Sequence, residues 1–324
     1  MADRAAATLA FLAAHGWGNA RRAPLAGDAS FRRYERLRDD GDRRAVLMDA
    51  PPPRENVRPF LHVAAVLRGW GYSAPGVLAA DPEAGLLLLE DLGDDLVSRL
   101  LADGRADETT LYGAAVDLLV DLQRRRPPPA GLPPYDDERM LEEVGRLLLW
   151  YEPAADLSES AKDAYRRLWL ELFPQARVGA PCFVYVDYHA DNLIWLPGRA
   201  GHARIGLLDF QDARVGPPAY DLVSLLEDAR RDVAPELAGS MVERYLAARP
   251  ELDPGALRRA YAILGAQRNA KVLGLFSRLA RRDGKPAYRA LQPRVRGYLA
   301  RDLAHPALAA MRAWFEEHLS NAAD

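Results

Sequence analysis

Up to about residue 91 this 324-residue chain holds all but a few of its strand-length runs, with two helical periods among them, and beyond it long helical periods dominate. That division confines it to α+β folds with segregated elements. A first helix is expected over 3–15, with Asp3 able to cap it and Gly16 ending it. APLAGDASFRRYERL (23–37) reads as strand, turn and strand, and RAVLMDA (44–50) as a third strand that Pro51, Pro52 and Pro53 stop. Val57, Phe60, Leu61, Ala64 and Leu67 recur at helical spacing over 54–70, and the runs 76–80 and 86–90 fit a further hairpin. Later helices are expected over 107–126, 136–151, 158–172, 218–231, 234–248, 254–281 and 305–319, with only 181–210 breaking the pattern. PPPAGLPP (127–134) is a stiff connector. The expected layout is a small β-rich lobe, residues 1–91, followed by a larger, mainly helical lobe, residues 92–324.

Composition removes several classes of function. A formal charge of -3 provides no basic field for nucleic acid or an anionic membrane. The single cysteine, Cys182, excludes a disulfide framework and a Cys-rich zinc site. The first residues carry charge too early for a signal peptide, and no apolar run approaches the ~18 residues that span a bilayer. The expectation is a cytoplasmic protein acting on a small molecule, with no obligate protein partner evident. Only three of the 43 basic residues are lysines (Lys162, Lys271 and Lys285), so residues 1–161 contain none.

The densest polar cluster on apolar flanks is FVYVDYHADNLIWLP (183–197), holding Asp187, His189, Asp191 and Asn192. Further on, IGLLDFQDARVGPPAYDL (205–222) delivers Asp209 at the end of a strand-like run, then Asp212 and Asp221. A carboxylate, an amide five residues on and a second carboxylate about twenty on suit phosphoryl transfer. One Asp accepts the proton of an incoming hydroxyl, and Asn and Asp oxygens suit Mg²⁺.

These strings resemble the aminoglycoside phosphotransferase family, whose fold is that of the protein kinases. YVDYHADN stands where the family has H-x-D-x-H-x-x-N, and LLDFQDA stands for its D-F/W-x motif. More narrowly, GDASFRRYERL, VLMDAPP, LLLLEDLGD, LDFQDARVGPPAYDLVSLL and QRNAKVLGLFSRLARRDGK are similar to the bacterial anomeric kinases of N-acetylmuramate and N-acetylglucosamine. The resemblance implies a two-lobed kinase-like fold binding ATP and Mg²⁺ at the lobe junction. It also implies Asp187 as catalytic base, Asn192 and Asp209 as metal ligands, and an N-acetylated amino sugar as acceptor, phosphorylated to the α-1-phosphate in cell-wall sugar recycling. Tyr185 replaces the usual His, which implies altered support for the loop with the chemistry retained. Met48 stands near the usual third-strand lysine. A phosphate-contacting cation from the first 91 residues must then be an arginine: Arg32, Arg33 or Arg44. Alternation from Phe31 favours Arg33.

Gly27-Asp28-Ala29-Ser30 is either an ordinary hairpin turn or a phosphate loop, with Ser30 contacting phosphate and Asp28 facing substrate. The resemblance makes Glu90 and Leu92 candidates to meet adenine through their main chain, with Val46 and Leu208 packing on the base. Glu55 either orients a phosphate-binding residue or complements a helix dipole. His189 supports the loop or lies near substrate, and Trp150 packs in the core or stacks on a sugar. Gln267, Lys271, Gly274 and Arg278 form one helical stripe, either solvated or turned to the lactyl carboxylate of muramate. A kinase of aminoglycoside, choline or homoserine type, and a non-catalytic nucleotide-binding pseudokinase, are the competing readings.

Overall fold

The computed structural model describes residues 2–25 and 31–319; Asp28 and Ser30 therefore lie outside the described residues. Contacts divide the chain into two units, 1–100 with 191–212, and 101–190 with 213–324.

In the first unit α1 (Ala2–Ala14) precedes β1 (Arg21–Pro24), β2 (Arg33–Arg38) and β3 (Arg44–Asp49). Helix α2 (Arg58–Gly69), β4 (Val77–Asp81), β5 (Leu86–Glu90) and α3 (Val97–Ala102) follow. The five strands form one antiparallel sheet in the order β1-β2-β3-β5-β4. Four successive leucines of β5 are buried, so the central strands are covered on both faces and their sequence reads as an apolar run instead of an alternation. One face closes over Phe11, Leu12 and Trp17, which pack with Leu37, Ala45, Leu47, Leu86 and Leu88. Helix α2 buries Phe60, Val63, Ala64 and Leu67 at the spacing expected of an amphipathic helix.

The chain then enters the second unit through α4 (Glu108–Arg124), α5 (Asp137–Trp150), α6 (Glu159–Leu172) and β6 (Cys182–Val184). It returns to the first unit for β7 (Leu193–Trp195) and β8 (Ile205–Leu207), an antiparallel ribbon, and leaves again at β9 (Arg214–Gly216), which pairs with β6. Helices α7 (Ala219–Leu226), α8 (Pro235–Ala248), α9 (Pro254–Arg281), α10 (Gln292–Leu303) and α11 (Ala309–Leu319) complete it. Side chains of Asp107, Asp136, Ser158 and Asp253 cap α4, α5, α6 and α9. The 28-residue α9 packs against α5, α7 and α10 and is buried along most of its length. Helix α7 stops at Leu226, short of the expected 231, because the next residue, Glu227, leaves helical geometry and is held by Asn269 (2.7 Å) and Arg301 (3.2 Å). No described helix is long and apolar enough to cross a membrane.

Candidate active site

In the second unit, β6 delivers the chain to Asp187 through a constrained turn. Val186 adopts φ 79°, a left-handed conformation that a β-branched residue avoids. Its backbone is pinned at both ends from α7: Asp221 accepts its N–H (2.9 Å), and the Ser224 hydroxyl donates to its carbonyl (3.2 Å). Asp221 also accepts the Tyr185 N–H at 2.6 Å, so one fully buried carboxylate fixes both residues before Asp187. Burial raises the Asp221 pKa to about 7, the two N–H donors oppose the rise, and the nearby Asp187 charge adds to it. The buried ring of Tyr185, at the position of the usual histidine, stacks edge-on against Tyr188 at 5.3 Å. Asp221 was visible in the sequence only as a carboxylate after the motif; its buried apolar surroundings on...YDLVSLL are the signal that marks its role.

Helices α5 and α9 place a second charged cluster within the electrostatic reach of Asp187. Lys271 lies 3.2 Å from Glu143 and donates to the Tyr220 hydroxyl at 3.0 Å. Tyr135 donates to Glu143 at 2.5 Å, and Gln267 at 3.3 Å. Burial acts against the Glu143 carboxylate, yet Lys271 and the Tyr135 hydrogen bond win and lower its pKa to about 2. Burial likewise acts against the Lys271 ammonium, but Glu143, Tyr220 and Asp187 together raise its pKa. The polar stripe is thus neither solvated nor open over its first half: Gln267 and Lys271 are buried in mutual hydrogen bonding. Gly274 continues it as a contact point, since a Cβ there would stand 2.3 Å from the Arg146 carbonyl carbon of α5. Farther along α9, Arg278 lies 3.6 Å from Asp283, and Trp150, at the end of α5, carries the Arg282 guanidinium over its ring at 5.5 Å. His189 is buried, with Arg230 3.3 Å from its Nε2; burial first, then the Arg230 and Arg268 charges, lower its pKa well below the ordinary value and keep it neutral.

In the first unit the β7–β8 ribbon brings the two other motif residues to one end. Leu193 pairs with Leu207, and the Leu208 N–H donates to the Asn192 carbonyl at 2.9 Å, so Asn192 and Asp209 flank the same ribbon terminus. Asp209 adopts φ 59°, a conformation aspartate tolerates better than most residues. Its Oδ1 accepts from Gln211 (2.8 Å) and lies 3.3 Å from Arg32 Nη1. Arg32 in turn donates through Nε to Glu55 (3.2 Å), whose other oxygen accepts the Phe31 N–H (2.9 Å).

Two expectations change here. Strand β2 begins at Arg33, so alternation cannot be counted from Phe31. Arg33 is exposed, and the arginine beside Asp209 is Arg32. Glu55 precedes α2, whose first turn carries no acidic residue, so it clamps residues 31 and 32 and does not complement a dipole. Arg44 is exposed and pairs in register with Arg38, at the strand end opposite Arg33 and Asp49. Met48 is buried between Tyr34 and Leu87 in the sheet.

The remaining candidates of this unit are Val46 and Leu208, both half-buried, and Leu92, which is buried. Glu90 ends β5 with its N–H donated to Gly76 O (2.7 Å) and its carboxylate held by Arg199 (2.6 Å), Arg68 (3.2 Å) and the Gly76 N–H (3.0 Å).

The donor set suits magnesium. A hard oxygen pair, amide and carboxylate, is what Mg²⁺ takes when phosphate oxygens and water complete its shell.

Known proteins resemble this chain over most of its length. Residues 21–255 match the phosphotransferase enzyme family. A Caulobacter vibrioides protein named N-acetylmuramate/N-acetylglucosamine kinase is 42% identical, with 98% of this chain and 97% of that protein covered. A Pseudomonas aeruginosa protein of the same name is 38% identical over 88% of this chain and 86% of its own. Among solved structures, a choline/ethanolamine kinase family protein from Mesorhizobium loti superposes with a TM-score of 0.65 at 17% identity, covering 97% of this chain and 99% of its own. The ADP-bound aminoglycoside phosphotransferase APH(2'')-Ib gives 0.59 at 16% identity, over 92% and 99%. The fold is therefore protein-kinase-like, with a small antiparallel-sheet lobe and a larger helical one.

Proposed function

The chain belongs to the phosphotransferase enzyme family, and on that premise we propose that it is a sugar kinase transferring the γ-phosphoryl group of ATP to the anomeric hydroxyl of N-acetylmuramate and N-acetylglucosamine. The acceptor class is supported by relatives of that name at 42% and 38% identity. The observation that carries the reading is the strained Val186 backbone, held by Asp221 and Ser224 immediately before Asp187. Local strain of this kind persists only where the surroundings over-determine it, and it clusters at active sites and ligand clamps.

In the proposed reaction the Asp187 carboxylate takes the proton of the anomeric hydroxyl. That oxygen forms a bond to the γ-phosphorus while the bond from phosphorus to the β,γ-bridging oxygen breaks, and ADP leaves. Asn192 and Asp209 are the residues that would hold Mg²⁺, which when bound neutralises charge on the phosphates. Val46 and Leu208 supply apolar surface for the base. ATP as the donor supports a cytoplasmic setting, and the products would be sugar α-1-phosphates of the kind consumed in cell-wall sugar recycling.

A sugar-dependent ADP-release assay tests the reading. N-acetylmuramate and N-acetylglucosamine should support turnover, whereas choline, homoserine and aminoglycosides should not. Turnover with choline or an aminoglycoside alone would move the acceptor, and ATP binding with no turnover on any acceptor would make the protein a pseudokinase.

A further inference from the structure

A chain with no lysine before residue 162 must manage polyphosphate in its first unit by another cation. The arginines there are already distinguishable by their partners. Arg36 is held by Asp91 (2.8 Å) and Asp94 (2.7 Å). Arg4 is tied to Asp49, Arg22 to Glu35, Arg43 to Asp39, and Arg68 and Arg199 to Glu90. Arg33 and Arg44 are exposed. Among the described ion pairs of Asp209, the arginine is Arg32.

We propose that Arg32 is the residue that positions the nucleotide phosphates, held for that task by Glu55; the proposal rests on the kinase reading above. Its guanidinium is nearly buried, with 13% of the side chain exposed, so its direction is fixed by its partners and not by solvent. The two contacts use different nitrogens. Nε is given to Glu55, which is itself anchored on the Phe31 N–H, while Nη1 reaches Asp209. Tyr34 adds a hydrogen bond to the same group. The Glu55 contact orients the fork and the Asp209 contact is the exchangeable one, because Asp209 is the carboxylate proposed to take the metal.

Charge balance fixes the direction of that exchange. One guanidinium with two carboxylates leaves the cluster with one negative charge in excess, which favours a divalent cation and disfavours phosphate. Once a divalent ion is added, the excess is positive, and a polyphosphate can be accepted beside it. Arg32 then has a phosphate oxygen for its Nη1 and Nη2 donors where it had Asp209, in the planar geometry that guanidinium and phosphate share. A lysine at this position has one nitrogen and cannot hold Glu55 through one donor site while presenting a separate fork.

Calorimetric titration of the full-length protein with ADP and with adenosine, each with and without Mg²⁺, tests this. Arg32→Ala should weaken ADP binding at least tenfold and leave adenosine binding unchanged, since adenosine carries no phosphate. Arg32→Lys should recover little, and Glu55→Gln should give a smaller loss in the same direction. Unchanged ADP affinity in Arg32→Ala overturns the proposal. So does a parallel loss for ADP and adenosine, which would make Arg32 a structural support, and so does finding the selective loss in Arg33→Ala or Arg36→Ala instead. If the wild-type protein binds neither ligand, the kinase reading itself fails.

Discussion

Among single residues, the proposed phosphoryl transfer depends most on how Asp187 is presented. Its neighbour Val186 occupies a backbone conformation that costs on the order of 1–3 kcal/mol, and the buried Asp221 carboxylate offsets that cost through two N–H contacts. Asp187→Asn should reduce turnover about 10²-fold or more while ADP affinity stays within a few fold, because the carboxylate acts on a proton and not on nucleotide. Asp221→Asn should act at a distance, lowering kcat without changing ADP affinity. The same substitution has a pH signature. The folded pKa of Asp221 is raised from 3.8 to about 7, so its contribution to stability is fully present below 3.8 and is lost as pH rises through 7. Wild-type thermal stability, measured relative to Asp221→Asn, should therefore decline between pH 5 and 8; a flat difference would show that Asp221 does not titrate there. The motif residues Asp187, Asn192 and Asp209 were legible as a spacing. Asp221 and Arg32 were not, because their roles depend on contacts 35 and 177 positions away along the chain. The choice between Arg32 and Arg33 turned on a strand start two residues later than the alternation assumed.

At the scale of elements, α9 carries the second unit. Its polar stripe lies against α5, where Gly274 permits close approach and Lys271 meets Glu143. A methyl group at Gly274 would meet backbone, which cannot move aside as a flexible side chain would. Gly274→Ala should destabilise the protein by about 1–3 kcal/mol in urea unfolding, and an unchanged midpoint would mean that the helices separate freely. Lys271→Met leaves Glu143 buried without its cation and should cost about 3–5 kcal/mol. In the wild type, Glu143 has its pKa lowered from 4.5 to about 2, so it stabilises fully above 4.5 and loses that contribution as pH falls toward 2. Urea midpoints at pH 5 and pH 3 should show this loss in the wild type and not in Lys271→Met. The sequence pattern placed most elements to within a few residues, since apolar periods and capping side chains are local signals. Helix α10 was not anticipated, although Val295, Tyr298, Leu299 and Leu303 recur at helical spacing, with Arg294, Arg296 and Arg301 interspersed. The early end of α7 was not legible either, because it is enforced by Asn269 and Arg301 from other helices.

At the scale of the molecule, the chain passes three times between its two units, and the six residues from Asp187 to Asn192 contain one of those passages. A linear reading sees a strand-rich beginning and a helical remainder; that 191–212 belongs with the first hundred residues is a property of contacts and not of composition. The proposed base belongs to the second unit and the proposed metal ligands to the first. The central claim is transfer of a phosphoryl group to an anomeric oxygen, and the most direct measurement is ³¹P NMR of the product formed from ATP with N-acetylmuramate or N-acetylglucosamine. A new phosphomonoester resonance split into a doublet by the single anomeric proton is expected, absent when Asp187→Asn replaces the wild type. A resonance split by two methylene protons, marking a primary-alcohol phosphate, or the appearance of inorganic phosphate alone, would contradict it.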